Sequence, residues 1–363
     1  MNSEIVYLYM YDTGPERIDE AKLSSLLKNP EDFSKYEFTK PEPEEIATFD
    51  VPSIFNLQEE NLALDDVQHK FRVQVAIYSF GSFSIRIRYQ ITSGAYSQMS
   101  KFTYDAKVNK FLKDVAAKAR KKVEVALSKI QQIKVSETRE TYRFYYIEGE
   151  KSQILQKSKK MVAGLLIDEE DTDTLEPAYI EYILGKSIAY DEYNVLFVGW
   201  ESAVMIDKGY KFEQELLMAE IASLQLLEMR IYHVLLAAEL DNASKALRYY
   251  SDPIFSTSGR TDLRALNRSL GRVYDNTKTV INNINDTAFG LGEWYLSRVY
   301  SLFSNVLKLD VMKVSVEKDL EAIDNERKYV SDLEMARRDT FLERIVILLI
   351  LIEVILEVLL ILK

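Results

Sequence analysis

The last 23 residues of the chain, Phe341 to Lys363, form one almost continuous apolar segment, FLERIVILLILIEVILEVLLILK. A helix over residues 341–362 would be about 33 Å long, which is enough to cross the hydrocarbon core of a bilayer. A helix that is apolar on every side needs lipid or a large protein interior around it. The segment therefore predicts a C-terminal transmembrane helix that anchors the rest of the chain.

This segment also carries charged residues, with Glu343 and Arg344 at its start and Glu353 and Glu357 inside the apolar run. A carboxylate in a bilayer costs about 2.5–3.5 kcal/mol, so a compensating interaction is expected. The three glutamates project within about 80° of one another on a helix. They either bind or conduct ions or protons, or are buried against partner helices, neutral or paired with Arg344 of another copy. A third alternative is a helix that packs inside an oligomer without a membrane.

Composition limits the function of the remaining chain. It has 363 residues, 47% of them hydrophobic, so it can form substantial cores. Its net charge of −11 argues against a general nucleic-acid-binding protein, which needs a basic surface to displace counterions. The chain has no cysteine, which excludes disulfides, thiolate metal sites and cysteine nucleophiles.

The two ends of the chain predict its orientation. The first residues have neither the basic region nor the apolar region of a signal peptide and have the composition of a strand. Arg337, Arg338 and Arg344 precede or open the apolar segment, and only Lys363 follows it. The positive-inside rule therefore predicts a single-pass membrane protein with residues 1–340 on the cytoplasmic side, or on the matrix side if the protein is mitochondrial.

Hydrophobic periodicity predicts the same order of elements twice in the first 250 residues. The expected elements are the strand Ile5–Tyr11, the helix Glu16–Lys28, the hairpin Phe71–Tyr78 with Phe83–Tyr89, the helix Asp105–Lys134, the strand Tyr142–Ile147, the helix Pro177–Leu184, the hairpin Asn194–Val198 with Ser202–Ile206, and a helix from Lys211 to about Leu247. We infer two strand–helix–hairpin–helix units that form either two related α+β layers or one continuous sheet. Alternation in the first hairpin predicts that Arg72, Gln74, Arg86 and Arg88 face water.

Beyond Leu247 the sequence predicts helices alone. One helix is expected over Asp262–Asn285, and residues 293–363 contain neither Gly nor Pro, with a predicted break near Lys308-Leu309-Asp310. A seam with spacings of three, four and seven is typical of a coiled coil, and its members are Leu309, Met312, Val316, Leu320, Ile323, Val330 and Leu333. The predicted fold is α+β, with α+β units over residues 1–135 and 136–208, a helical coiled-coil-like stalk over 209–340 and a membrane span over 341–363.

The sequence contains no recognisable catalytic motif. Its two histidines, His69 and His233, are far apart, and the HExxH, GxSxG, GxxxxGK[ST] and GxGxxG patterns are all absent. The acidic run from Asp168 to Glu176 lacks the central glycine and the ligand spacing of an EF-hand, which favours a solvated linker. We therefore predict no enzyme activity, catalytic residue, metal site or cofactor, although a carboxylate-based hydrolase would leave no short motif.

One helix is basic in an otherwise acidic chain. Its most concentrated cluster is Lys118, Arg120, Lys121 and Lys122. Such a cluster can contact anionic lipid headgroups or RNA. An ordinary solvated helix face is the favoured interpretation, because acidic residues interrupt the charge.

The C-terminal third resembles a known family. The relevant segments are LGEWYLSRVYSL, which starts at Leu291, and ARRDTFLERIVILLILIEVILEVL, which starts at Ala336. They are similar to the YagE / required-for-meiotic-nuclear-division family, a domain of unknown function with an Ile-Glu-Val inside one membrane span. Arg344 stands where that family usually has Trp. The resemblance implies a membrane-anchored, oligomeric, non-catalytic protein, and eukaryotic members are linked to the mitochondrial inner membrane and to mitochondrial translation.

These observations give one leading hypothesis and two alternatives. The leading one is a tail-anchored scaffold that self-associates through its stalk and through Glu353 and Glu357, contacts membrane lipid, and binds a protein partner that the sequence does not identify. The first alternative is an ion or proton channel subunit lined by the same carboxylates, although the chain lacks the second span and the Gly-Met-Asn signature of pentameric divalent-cation transporters. The second is an enzyme tethered to a membrane.

Overall fold

The computed structural model describes residues 2–14, 17–18, 23, 34–35, 52–92, 98–131, 133, 135–209, 212–250, 259–289 and 294–361. The chain divides into two compact units. The first unit contains Met1–Ile231 and Val280–Lys313, and the second contains Tyr232–Thr279 and Val314–Lys363. The predicted division into four parts stays a prediction.

The described strands form one sheet in the first unit. They are β1 (Asn2–Asp12), β2 (Ser34–Lys35), β3 (Ser53–Asn56), β4 (Glu60–Leu64), β5 (Val67–Tyr78), β6 (Ser82–Thr92), β7 (Arg139–Glu148), β8 (Ser187–Ile188), β9 (Val195–Val198) and β10 (Ser202–Asp207). Their order is β2-β3-β5-β6-β1-β7-β10-β9-β8, and β4 pairs with β5 outside this order. Both predicted hairpins are present, and the sheet is continuous across the two predicted α+β units.

The described helices are α1 (Gln98–Tyr104), α2 (Ala106–Ser128), α3 (Lys151–Ile167), α4 (Pro177–Leu184), α5 (Glu213–Tyr250), α6 (Gly259–Phe289), α7 (Trp294–Val306) and α8 (Leu309–Ile361). The α+β class predicted from the sequence is therefore confirmed. The break predicted near residue 308 lies between α7 and α8, where Lys308 adopts a positive φ of 53°. Helix α3 was not predicted, and the expected helix Glu16–Lys28 lies largely outside the described residues.

The two halves of the sheet differ in strand direction. Strand β1 is antiparallel to both of its neighbours, β6 and β7. Strand β10, the inner strand of the second hairpin, is parallel to β7. The inner strand of the first hairpin is therefore antiparallel to its central neighbour, whereas that of the second is parallel.

One face of this sheet packs against an apolar helical layer. Alternate β1 side chains, including Ile5 and Tyr7, share a core with Val108 and Leu112 of α2. These two α2 residues are four positions apart and therefore lie on one side of the helix. The Asp105 carboxylate caps α2 by accepting hydrogen bonds from the amides of residues 107 and 108.

The opposite face of the sheet is also covered, which corrects one expectation. Gln74, Arg86 and Arg88 are only 1–4% exposed, and of the four polar residues predicted to face water only Arg72 is substantially exposed, at 47% of its side chain. Alternation of polar and apolar residues normally separates a wet face from a dry one. Here it separates an apolar face from a face where the charged groups pair with helix α5.

The second unit contains three helical segments. Glu239 of α5 accepts a hydrogen bond from Ser269 of α6, and Arg264 of α6 donates to Glu334 of α8. Apart from Tyr232, the buried apolar residues described in this unit recur every seven positions within each helix, and they are Leu236 and Ala243 of α5, Leu263 and Leu270 of α6, and Val316, Ile323 and Val330 of α8. The last three belong to the predicted seam, which here packs within one chain. A stalk that self-associates as a coiled coil stays a prediction.

Candidate functional site

The C-terminal part of α8 is exposed on every side. Thirteen large apolar side chains between Phe341 and Leu356 are each 39–64% exposed. Eight of them, Ile345 through Ile352, are consecutive and so cover more than two turns of helix. We call residues 341–356 the tail. Within the described residues, the chain does not cover any face of it.

The charged residues of the tail share this exposure. Glu343, Arg344 and Glu353 are exposed, and among the described residues the structure shows no ion pair for any of them. Arg344 lies nine positions before Glu353, or about 14 Å along the helix, too far for the two to pair within one chain. The side chain of Glu357, the fourth predicted residue, lies outside the described part. Glu353 therefore has no ion-pair partner among the described residues.

The four predicted basic residues lie on α2 in the first unit, whereas the tail belongs to the second unit. Lys118 approaches Glu60 at 3.7 Å. Arg120 binds Glu137 at 3.0 Å and lies over the ring of Tyr11.

The other two basic residues, Lys121 and Lys122, are exposed. Contact of this cluster with lipid or RNA stays a prediction, and two of its four members are already engaged within the chain.

The two histidines belong to different units. His69 shares a hydrogen bond of 2.8 Å between Nδ1 and the Tyr89 hydroxyl. His233 pairs with Asp319 of α8 at 2.6 Å. Over the part of the chain that the structure describes, no three acidic or histidine side chains lie close enough together to hold a metal ion.

A buried charge network joins the sheet to α5, and sequence reasoning missed it. Its centre is Glu220, whose carboxylate accepts hydrogen bonds from Arg86 Nε at 2.8 Å and from the Tyr78 hydroxyl at 2.7 Å. Ser84 donates to the same carboxylate. Glu220 and Arg86 are 0% and 1% exposed, so this ion pair is shielded from water. Breaking such a pair from one side leaves an uncompensated buried charge, which costs about 3–5 kcal/mol.

A second arginine extends the network toward the start of α5. Arg88 donates to Glu4 of β1, to Glu213 of α5 and, at 3.2 Å, to Gln74. Burial alone would raise the pKa of Glu213, but Arg88 and Arg86 outweigh burial and hold that pKa below its usual value. The network therefore fixes the position of α5 on the sheet.

Two further buried carboxylates, Glu228 and Asp12, have no basic partner among the described residues. Glu228 of α5 accepts a hydrogen bond of 2.7 Å from the Ser82 hydroxyl. Burial raises the pKa of Glu228 well above its usual value, and the nearby Asp12 raises it further. Burial also raises the pKa of Asp12 to about 6, although the backbone amides of Gly14 and Thr13 partly oppose this. Burial therefore shifts both groups toward the protonated form relative to exposed carboxyl groups.

Helix α5 is itself apolar enough to resemble a membrane helix. Among the described residues, Glu213–Leu247 is the one helical stretch with the length and composition to cross a membrane, and 61% of its most apolar part is buried inside the protein. Its ion pairs with the sheet show that residues 213–231 form a core helix of the first unit. The described part of the tail, residues 341–356, is shorter than a membrane span and contains Glu343, Arg344 and Glu353.

Residues 2–213 match the family described as uncharacterized protein MJ0711, N-terminal domain. The chain belongs to this family. The chain is also 21% identical, over 237 residues, to the uncharacterized protein MJ0711 of Methanocaldococcus jannaschii, and the matched region covers 64% of this chain and 70% of that protein. No solved structure matches the chain. The MJ0711 N-terminal domain match ends at Glu213 and therefore covers the mixed sheet and helices α1 to α4.

Membership of the MJ0711 N-terminal domain family corrects the resemblance drawn from the sequence. The YagE / required-for-meiotic-nuclear-division assignment was wrong, since both the family match and the relative point to an uncharacterised archaeal family. That assignment rested on short segments of the C-terminal third, LGEWYLSRVYSL from Leu291 and ARRDTFLERIVILLILIEVILEVL from Ala336, which lie beyond the residues that the family match covers. The mitochondrial role that it implied is therefore withdrawn.

Proposed function

We propose that this chain is a membrane-anchored, oligomeric interaction protein without catalytic activity. The observation that carries the proposal is the exposure of the tail on all sides. Water is a poor solvent for a surface of this kind, and a single chain of this length offers it no interior among the described residues. Lipid satisfies such a helix, since all its backbone hydrogen bonds are internal.

The energy balance favours insertion only narrowly. Residues 341–362 contain 18 apolar side chains, which contribute roughly 5–11 kcal/mol on insertion scales. Glu353 and Glu357 oppose this by roughly 5–7 kcal/mol together. The state of the two carboxylates therefore decides how stable the inserted helix is.

This balance supports self-association. Among the described residues Glu353 has no ion-pair partner, and a second copy of the tail would offer hydrogen bonds or a shared proton at the same depth in the membrane. The finer parts of the proposal are a head with a repeated order of strand, helix and hairpin, a helical stalk that self-associates, and residues 1–340 on the cytoplasmic side of the membrane. The arginines before the tail support that orientation.

Removal of the tail tests the proposal. Full-length protein should remain in the carbonate-washed membrane pellet and show a multiple of the monomer mass in detergent. A chain of residues 1–340 should be released into the supernatant and keep its helical circular dichroism, because the removed residues are exposed. Carbonate-resistant pelleting of the truncated chain would exclude the tail as the anchor.

The carboxylates of the tail also favour a second candidate function, ion or proton conduction. The relevant observation is the exposed Glu353 within the apolar run. Proteoliposomes that contain full-length protein should show cation or proton flux under this candidate, and the double change Glu353→Gln with Glu357→Gln should abolish flux without altering the oligomer. Loss of the oligomer in that double variant would instead support the scaffold.

A further inference from the structure

Helix α2 of the first unit carries a row of lysines on its outer side. Six exposed lysines lie on the helix or at its C-cap, and they are Lys107, Lys110, Lys118, Lys121, Lys122 and Lys129. At about 100° per residue, they fall within an arc of about 120° around the helix. The buried residues of α2, which include Leu112 and Val123, project from the opposite side. We call the exposed side that these six lysines define the lysine face.

The charge of the lysine face is largely uncompensated within the described chain. Lys118 approaches Glu60 at 3.7 Å, and the described residues offer the other five lysines no ion pair. Among the residues of α2, Asp114 is the one carboxylate within the same arc. Arg120, which the sequence grouped with these lysines, projects outside the arc and binds Glu137. Six positive charges and one negative charge therefore share this face of a protein whose net charge is −11.

The shape of the lysine face favours a broad partner. From Lys107 to Lys129 it extends about 33 Å along one helix. The exposed side of a single helix is convex, whereas small molecules bind in clefts where several polar groups converge. Val125 lies near the centre of the arc, between Lys121 and Lys129, and is 52% exposed. The lysine face therefore presents an extended row of positive charge with an apolar side chain inside it.

The residue types on the lysine face distinguish among broad anionic partners. Protein interfaces are depleted of lysine and centre on aromatic or arginine anchors. Surfaces that bind single-stranded RNA stack its bases on aromatic rings or guanidinium planes. The lysine face offers neither, because Phe111 packs against Phe71 and Arg120 is held by Glu137. Compact, hydrated lysine charges instead suit the headgroups of an anionic bilayer, which attract without a fixed geometry.

We propose that the lysine face of α2 binds the surface of an anionic lipid bilayer. Clusters of about four to eight basic residues on an amphipathic helix are typical of binding to anionic lipids. The attraction acts over a Debye length of about 8–10 Å, so it depends on lipid charge and on salt. This inference rests on the proposed membrane anchoring, which brings the chain to a bilayer. It adds the face of the first unit that meets the lipid and the lipid charge that this face selects.

A fluorescent label within the lysine face tests the proposal in liposomes. The chain has no cysteine, so full-length Val125→Cys can carry one bimane label. The vesicles contain either phosphatidylcholine alone or phosphatidylglycerol and phosphatidylcholine in a 1:2 ratio, each with a trace of lipid that carries a nitroxide on its headgroup. We expect about twofold quenching in the anionic vesicles and almost none in the neutral ones. Salt at 1 M, where the Debye length is about 3 Å, should reverse it. Equal quenching in the two vesicles, or none in either, would overturn the proposal.

Two matched triple variants of the labelled protein locate the contact. The face variant combines Lys110→Gln, Lys121→Gln and Lys122→Gln, and it should lose most of the quenching in anionic vesicles. The control changes the net charge equally through three exposed lysines of the first unit outside α2, and it combines Lys157→Gln, Lys186→Gln and Lys308→Gln. The control should be quenched like the labelled parent. Unchanged quenching in the face variant, or an equal loss in the control, would contradict the assignment to α2.

Two measurements on the face variant in detergent test the other classes of partner. We expect the full-length protein to show no binding of a single-stranded RNA oligonucleotide, and the face variant to keep the oligomer mass of wild type. RNA binding that the face variant loses would assign the lysine face to RNA and overturn the proposal. A smaller oligomer in the face variant would assign the face to a second copy of the chain and overturn it equally.

Membrane pelleting separates this inference from the proposed function. The face variant should remain in the carbonate-washed pellet, since the tail rather than the lysine face inserts. A wild-type chain that fails to pellet would refute membrane anchoring and this inference with it. A chain that pellets but shows no quenching that depends on lipid charge would refute the lysine face alone.

Discussion

Helix α5 and the tail of α8 are both long and apolar, and they have opposite surroundings. Glu213 and Glu220 of α5 meet Arg88 and Arg86 of strand β6, and the helix is largely buried. The tail is also rich in apolar residues, but its side chains are exposed, and the part of the chain that the structure describes gives Glu353 no ion-pair partner. The two helices therefore differ in whether their carboxylates form ion pairs with described residues of the same chain.

The difference shows what determines whether an apolar helix becomes part of a core. The two α5 carboxylates are seven positions apart and lie on one side of the helix, opposite two arginines that are two positions apart on a strand. Glu353 of the tail meets no such complementary group within the described residues. An apolar helix with charges matched inside the same chain is a core helix, whereas one with unmatched charges requires a partner outside it.

The largest effect should come from breaking the buried ion pair between Glu220 of α5 and Arg86 of β6. Glu220→Ala leaves the buried Arg86 without a counter-charge, and we expect a loss of about 3–5 kcal/mol in the free energy of unfolding. Urea denaturation followed by tryptophan fluorescence measures this loss, because Trp200 and Trp294 both lie in the first unit.

A double variant provides the control for that loss. Arg86→Met with Glu220→Ala removes both charges, so its cost should be smaller than the sum of the two single changes by about 1–3 kcal/mol. Additive costs would show that the two side chains do not act as a pair.

The next effect concerns the buried carboxyl group of Asp12, whose pKa is raised by burial. The pKa of Asp12 rises from 3.8 in the unfolded chain to about 6 in the folded protein. A raised pKa contributes stability below pH 4 that is lost as the pH increases through 6, which amounts to about 3 kcal/mol. Asp12→Asn should therefore gain stability relative to wild type between pH 4 and pH 8, as measured by urea denaturation.

The exposed Asp66 supplies a matched control for this pH dependence. Asp66→Asn should follow wild type at every pH, since Asn tolerates the positive φ of 62° at that position. If Asp12→Asn also follows wild type, the carboxylate of Asp12 is not desolvated in the folded protein.

Changing the tail carboxylates should affect the stability of the fold less than Glu220→Ala does. It should affect the oligomeric state more. Glu353→Gln with Glu357→Gln should leave the unfolding of the first unit unchanged, because the Glu353 side chain is exposed and has no ion pair among the described residues. The same change should shift the detergent-solubilised protein toward smaller oligomers, as measured by light scattering. An unfolding midpoint that falls as it does in Glu220→Ala would show that the tail is covered by its own chain.

The smallest effect should come from an exposed ion pair on α5 itself. Lys245 pairs with Asp241 one turn before it, and both side chains are more than 60% exposed. Lys245→Gln should cost at most about 0.5 kcal/mol, since water and salt screen such pairs. A cost near that of Glu220→Ala would remove the distinction between buried and exposed charges on this helix.

The sequence predicted the elements of the fold better than their contacts. Alternation located both hairpins, and Pro177 with Gly185 bounded helix α4. The same alternation misassigned Arg86 and Arg88, because period-two patterning identifies a polar face without stating what covers it. The complementary carboxylates are more than 120 positions away, so only the fold brings them to these arginines.

The residues of the candidate sites were also predicted from the sequence only in part. The exposure of Glu343, Arg344 and Glu353 agrees with a tail that its own chain does not bury. Sequence reasoning missed the groove that Arg264, Arg268, Arg272 and Arg327 line, since these residues come from two helices whose register depends on antiparallel packing. The spacing of four positions from Arg264 to Arg272 was its available signal.

The depth of a single tail residue in a membrane tests the central claim most directly. The chain has no cysteine, so Leu349→Cys can carry one bimane label, with Lys318→Cys in the same helix as the control. In liposomes, we predict that nitroxide on lipid acyl chains quenches the label at position 349 and that aqueous iodide does not, with the reverse result at position 318. Iodide quenching at position 349 equal to that at 318, or protection of position 349 from both quenchers, would contradict solvation of the tail by lipid.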